Sequence, residues 1–204
     1  MNIFVTGGAG FIGSNFVRMA LNNALPGLED CKVTVFDALT YSGTLTNLTD
    51  VKDSNRLTFI KGDIRDVVDV SKALPNHDAI IHFAAESHVD RSVSDSRIFV
   101  ETNVLGTQTL LDQAVSLGIQ RFVHVSTDEV YGSIDAGSWD EEQPLLPNSP
   151  YSASKAGSDL LVRSYHVTHG LHTSITRCSN NYGTHHFPEK MIPLFVTNLL
   201  DGKK

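Results

Sequence analysis

Apolar residues fall in short, nearly unbroken runs separated by longer stretches in which they recur every three or four positions. Asn2–Thr6, Lys32–Asp37, Leu57–Ile60, Ala79–Phe83, Arg121–Ser126 and Thr173–Arg177 read as strands. Continuous apolar character is what a strand covered on both faces needs. Phe11–Leu25, Val67–Leu74, Ser96–Leu117, Ser152–His169 and Ile192–Leu200 read as helices. Strands spaced by helices predict right-handed parallel βαβ units, and so an α/β fold with an open, doubly wound parallel sheet of the Rossmann type. Ligands of such sheets sit beyond the carboxyl ends of the strands, where two long connections, Ala38–Asn55 and Gly132–Pro150, also begin.

Composition narrows the partners. With 16 basic and 23 acidic residues among 204, the formal charge is −7, which supplies no positive field for nucleic acid or an anionic membrane. An apolar fraction of 41 % excludes wholesale disorder. No apolar run reaches the ~18 residues of a spanning helix, and no charged start of a signal peptide precedes Arg18. Cys31 and Cys178 are far apart and form no Cys-x-x-Cys pair, so two reduced thiols in a cytoplasmic protein are expected. The histidines His166, His169, His172, His185 and His186 lack metal-site spacing with an acidic partner, and no metal is expected.

Thr6-Gly7-Gly8-Ala9-Gly10-Phe11-Ile12-Gly13 lies between the first strand and the first helix. Glycines at 7, 10 and 13 suit a tight turn, a close approach to a pyrophosphate and close helix packing, with the helix N-terminus facing the phosphates. Asp37 ends the second strand, where a carboxylate accepts the adenosine ribose hydroxyls and repels the extra phosphate of NADP; NAD is therefore the expected cofactor. Asp63-Ile64 follow the third strand, where Asp63 meets the adenine edge or simply caps a turn. Ala84-Ala85 end the fourth with small side chains.

Tyr151 and Lys155, at i and i+4 in Tyr151-Ser152-Ala153-Ser154-Lys155, share one helix face. A phenol titrates near 10, and a neighbouring ammonium together with the positive nicotinamide ring would favour its ionised form. The fifth strand runs into Thr127-Asp128-Glu129, two carboxylates whose repulsion and partial burial should raise one pKa, leaving one acid and one base.

These residues resemble the extended short-chain dehydrogenase/reductases that modify nucleotide sugars. Within that group, His82-Phe83-Ala84-Ala85-Glu86-Ser87-His88-Val89-Asp90-Arg91-Ser92, Thr127-Asp128-Glu129-Val130-Tyr131-Gly132, Asn180-Asn181-Tyr182-Gly183 and Phe187-Pro188-Glu189-Lys190 are similar to the dTDP-glucose 4,6-dehydratases. The resemblance implies an NAD-dependent lyase: C4 oxidation of a nucleotide-diphosphate glucose, loss of water across C5–C6, and hydride return to C6. It assigns Tyr151 and Lys155 to the 4-hydroxyl proton, Glu129 to the C5 proton, a protonated Asp128 to the leaving 6-hydroxyl and Thr127 to the 4-hydroxyl. Ser87, Asn180, Glu189 and Lys190 would contact the sugar or its diphosphate, and Asn103 would support the cofactor. It also implies a homodimer pairing 96–117 and 152–169 of each copy, with 1–178 as the NAD-binding domain. Residues 179–204 would begin a substrate domain whose remainder lies in a longer protein. Epimerases or decarboxylases of the same fold are disfavoured by the acidic pair, and GDP-mannose dehydratases by the aspartate at 128. A non-catalytic regulator is disfavoured by the complete Thr/Asp/Glu/Tyr/Lys set.

Overall fold

The computed structural model describes residues 1–203. Strands β1 (Asn2–Thr6), β2 (Lys32–Asp37), β3 (Leu57–Lys61), β4 (Ala79–His82), β5 (Arg121–Thr127) and β6 (His172–Cys178) form one sheet in the order β3-β2-β1-β4-β5-β6. Every pairing is parallel. Successive residues of β1 point to opposite faces. Phe4 enters a core with Phe36, Ile80, Phe122, Leu110 and Val162, while Ile3 and Val5 enter another with Val33, Val35, Val17 and Ala20. Both faces of the central strands are covered, which is why β1, β2 and β4 read as nearly unbroken apolar runs, whereas no residue of β3 or β6 is buried.

The helices are α1 (Phe11–Leu21), α2 (Val67–Ala73), α3 (Val89–Ser94), α4 (Ser96–Phe99), α5 (Gly106–Leu117), α6 (Pro150–His169) and α7 (Met191–Leu200). α1 stops four residues short of the expected Leu25, because Asn23 takes a left-handed φ of 55° and Pro26-Gly27 follow. The stretch read as one helix over 96–117 is helical throughout, as α4, a π-helical turn Val100–Leu105 and α5, and α3 before it was not expected. The π turn holds Asn103, whose carboxamide is bonded to the loop after β4; such irregular turns concentrate at functional sites. The connection after β2 folds partly into a 3-10 helix, Leu45–Val51, whose Leu48 and Val51 are buried in the α1 core. α6 begins at Pro150, before the expected Ser152, since Ser149 and Ser152 close a capping box ahead of a proline suited to the first turn.

Chain crossing places the site. β1–α1–β2 and β3 build one half of the sheet, and α2 carries the chain back so that β4 lies on the other side of β1. The connections leave β1 and β4 in opposite directions, opening a crevice at their carboxyl ends. None of the residues of α7 is buried.

Leu110 is fully buried between sheet and helices. Leu110→Ala is expected to cost ~2–5 kcal/mol, the range for a core leucine whose cavity only partly collapses. Urea unfolding monitored by circular dichroism measures it; a loss of a few tenths would show that this layer is not closely packed.

Candidate active site

At the carboxyl edge of the sheet a cleft of about 730 Å³ runs from the glycine turn to the start of α6. The turn is built by close approaches. Gly7 has φ +68°, and a Cβ there would sit 2.5 Å from the Ala84 amide nitrogen. A Cβ on Gly13 would sit 2.3 Å from the Gly7 carbonyl oxygen, so neither position accepts a side chain without backbone movement. Gly10 differs: apart from the Gly7 oxygen at 3.3 Å, nothing lies where its Cβ would project. That open space borders the cleft together with Phe11, Ile12 and Gly13. A first helical turn has amides with no partner inside the helix, and an anionic diphosphate suits this cradle in both shape and charge.

Asp37 is buried, with one carboxylate oxygen accepting from the Ala9 amide at 2.9 Å and the other from the Leu39 amide at 2.8 Å. Burial raises its pKa and the two amides lower it, with a net rise. The group that faces the cleft is thus also a strut between the glycine turn and the next loop. Asp63 and Ile64 line the cleft too. Asp63 accepts from Arg65 at 2.6 Å; burial raises its pKa, but the Arg65 hydrogen bonds and charge bring it below the usual value. Arg65 was not foreseen from sequence, although it stands two residues on.

Ala84 and Ala85 line the same wall. The Ala84 amide donates to the Thr6 hydroxyl at 3.3 Å. Asn103 is buried and does not border the cleft: it accepts from the Glu86 amide at 2.8 Å and donates to Glu86 O at 3.0 Å and Ser154 Oγ at 2.8 Å. It fastens the loop after β4 to α6.

At the far end Thr127, Glu129, Tyr151 and Lys155 meet around the carboxyl ends of β5 and β6. Thr127 ends β5, accepts from the Glu129 amide at 3.2 Å and donates to Asp128 Oδ1 at 3.4 Å. Burial pushes the Tyr151 phenol far above its ordinary value; the Glu129 charge adds to this and a Thr127 hydrogen bond opposes it. Lys155 Nζ is turned onto the Val125 carbonyl at 2.9 Å, so in the protein's own field burial prevails; the sequence-based expectation of an ionised phenol counted on this ammonium together with a positive nicotinamide ring. Burial and the Asp128 charge raise Glu129, the expected base, with Lys190 opposing. Asp128 is half-buried beside the cleft and does not line it.

Ser87, Asn180, Glu189 and Lys190 border this end. Lys190 Nζ donates to the Ser87 carbonyl at 3.0 Å, and Glu189 is held by Arg91 at 2.9 Å, so its carboxylate is engaged within the protein. Arg91 also lies 4.0 Å over the Tyr41 ring, joining the loop after β2 to that after β6. Sequence spacing carried no signal for this contact. Among the described residues no group of three or more His, Cys, Asp or Glu could hold a metal ion, and no helix is long and apolar enough to cross a membrane.

Known proteins share this arrangement. A dTDP-glucose 4,6-dehydratase of Streptomyces antibioticus is 61 % identical over 203 residues, covering 99 % of this chain and 60 % of the relative. The crystal structure of DesIV, a dTDP-glucose 4,6-dehydratase from Streptomyces venezuelae with NAD bound, superposes with a TM-score of 0.97 at 62 % identity, over 99 % of this chain and 63 % of that one. A UDP-N-acetylglucosamine 4-epimerase from Methanobrevibacter ruminantium has a TM-score of 0.89 at 31 % identity, over 100 % of this chain and 64 % of its own. The chain thus spans about 60 % of the length of the curated relative it matches. The sequence profile described as GDP-mannose 4,6 dehydratase matches residues 4–204, and with the glycine turn, the Tyr151–Lys155 face and the Thr127-Asp128-Glu129 corner at one sheet edge, the chain belongs to that family.

Proposed function

We propose that the protein containing this chain is an NAD-dependent dTDP-glucose 4,6-dehydratase. The observation that carries this reading is one continuous cleft that joins the Gly10 cradle and Asp37 to Tyr151, Lys155, Thr127 and Glu129. The shared name of the 61 % identical relative supports dTDP-glucose over GDP-mannose as substrate. Asp128 supports dehydration over epimerisation, because elimination of water needs an acid as well as a base.

Gly7, Gly10, Phe11, Ile12 and Gly13 would hold the NAD diphosphate, Asp37 the adenosine ribose, and Asp63, Ile64, Ala84 and Ala85 the remaining walls. NAD, when bound, accepts hydride from C4 of the sugar and returns it at C6. Tyr151 takes the 4-hydroxyl proton. Its raised pKa makes a strong base that needs neighbouring positive charge to ionise, and Lys155 is the protein's own source. Thr127 orients the same hydroxyl. Glu129 removes the C5 proton; a carboxylate raised toward neutrality is the better base. Asp128 gives its proton to the departing 6-hydroxyl. Ser87, Asn180, Glu189 and Lys190 would frame the sugar diphosphate, with Lys190 supplying the positive charge. Residues 1–178 form the NAD-binding domain and 179–204 the beginning of a substrate domain. Exposed Leu105, Val115, Leu160 and Val167 on and beside α5 and α6 support a second copy packing there.

The cofactor assignment is tested by calorimetric titration. Asp37→Arg is expected to shift the ratio of NAD to NADP affinity toward NADP. The ratio is the readout because the variant also loses the Ala9 and Leu39 contacts. An unchanged ratio counts against Asp37 as the ribose ligand.

The roles of the two carboxylates separate in single-turnover experiments with dTDP-glucose, following NADH absorbance and deuterium uptake at C5. Tyr151→Phe should suppress NADH formation by ~10²–10⁴. Asp128→Asn should keep C5 exchange while slowing elimination by a similar factor, and Glu129→Gln should abolish exchange. If Asp128→Asn stopped exchange and Glu129→Gln preserved it, the assignments would be reversed.

The acid limb carries a further expectation. Glu129 acts only when ionised, so C5 exchange falls as pH drops through its raised pKa. An Asp128 that carries its proton exerts no charge on Glu129, so in Asp128→Asn the limb should stay in place. A limb that moves to lower pH would show that Asp128 is ionised when C5 is deprotonated and contradict its role as the acid.

A further inference from the structure

Beneath the reactive face of α6, Lys155 meets a charged cluster whose other members the proposed chemistry does not use directly. Lys155 is 3 % exposed and Asp159, one turn further on, 1 %. The Lys155 ammonium has one hydrogen-bond acceptor, the Val125 carbonyl at 2.9 Å, and lies 3.5 Å from His124 Nε2. His124 Nε2 is in turn 3.4 Å from Asp159 Oδ1. The Ser158 hydroxyl donates to the Lys155 carbonyl at 2.7 Å, so its oxygen is free to accept from His124 Nε2–H at 3.0 Å. That direction makes the imidazole a neutral Nε2–H donor aimed at Ser158 and Asp159. The second Asp159 oxygen accepts from Arg177 Nε at 2.9 Å, and Arg177 Nη1 donates to the Tyr131 hydroxyl at 2.7 Å.

A buried ammonium facing one neutral carbonyl is costly unless an anion accompanies it. The groups around Lys155 are His82 from β4, His124 from β5, Cys178 and Arg177 from β6, and Tyr151 and Asp159 from its own helix. Burial holds His82 neutral and brings His124 down to about 4. Burial likewise lowers Lys155, to about 8, and Asp159 is the main opposing influence. Asp159 itself remains below the usual carboxylate value: burial raises it, but His124, Ser126 and Arg177 together outweigh burial.

We propose that Asp159 is a positioning residue: the buried anion, fixed by Arg177 and facing His124, that keeps Lys155 an ammonium one helix turn from Tyr151. The inference rests on the reading of Lys155 as the charge partner of the Tyr151 base. Below the Lys155 midpoint the ammonium is present and assists the phenol; as pH rises through it, that assistance is lost. Removing the anion lowers the midpoint.

The test uses full-length protein labelled in its lysine side chains. The Lys155 resonance is assigned by its absence in Lys155→Met and titrated by NMR with and without NAD. Asp159→Asn is expected to lower the Lys155 midpoint by about one pH unit or more, the size of shift expected from a nearby opposite charge. The alkaline limb of kcat/KM should move down with it, and Asp159→Glu should recover most of the shift. Arg177→Gln leaves the anion and removes a cation, so its midpoint should rise, and this variant carries the test if Asp159→Asn does not fold. A purely structural cluster would instead lower stability in all variants without opposite shifts. An unchanged midpoint in folded Asp159→Asn, or an unchanged or lowered one in Arg177→Gln, overturns the proposal. Opposite shifts in a protein without dehydratase turnover would uphold the positioning role and remove the proposed function instead.

Discussion

The pairing of β1 with β4 is the constraint on which the remainder depends. Their register, from Ile3 opposite Ala79 to Thr6 opposite His82, places the fourth strand beside the first rather than beside the third. One sheet then has connections diverging on either side of a single seam, and diverging connections cannot fill the space above it. The seam is locked at its carboxyl end. Thr6 donates to His82 Nδ1 at 2.7 Å, while its oxygen accepts from the Ala84 amide. His82 Nε2–H donates to Thr107 at 3.0 Å, and Thr107 donates to the Asn103 carbonyl at 2.6 Å. Every donor in this buried chain has an acceptor, so the loop forming the cleft wall is held by directional bonds rather than by packing alone.

Burial explains both the stability of the site and its chemistry. The same desolvation that closes the hydrophobic layers raises Tyr151, Asp37 and Glu129 and lowers Lys155. Each shift disfavours a charge that the structure must then support with a specific partner. Asp37 has two backbone amides, Asp63 has Arg65, and Asp159 has Arg177. Tyr151 has the least support, with carboxylates nearby and only a Thr127 hydrogen bond in its favour. A phenol this strongly disfavoured as an anion ionises only when positive charge is brought next to it.

Much of this was legible in the residue pattern because its causes are local. Strand and helix periods follow from which faces are buried, the Gly10 and Gly13 positions from steric approaches to Gly7 within seven residues, and the Tyr151–Lys155 face from helix geometry. The misreadings also have local physical causes. Asn23 in a left-handed conformation ended α1 early, and a π turn at Val100–Leu105 lies inside a helical stretch that otherwise runs over 96–117 as its spacing indicated.

What the sequence by itself determined is the fold class, the position of each chemical residue on a strand end or helix start, and the family. The strand order, the ionisation tendencies and the non-local partners were decided only by tertiary structure. Asp159 lies 18 positions from Arg177, and Arg91 lies 98 from Glu189. Such pairs leave no periodic trace, because their energy comes from how separate elements exclude water around them. A carboxylate's position can be read along a chain, but its charge state depends on the walls that the rest of the chain builds around it.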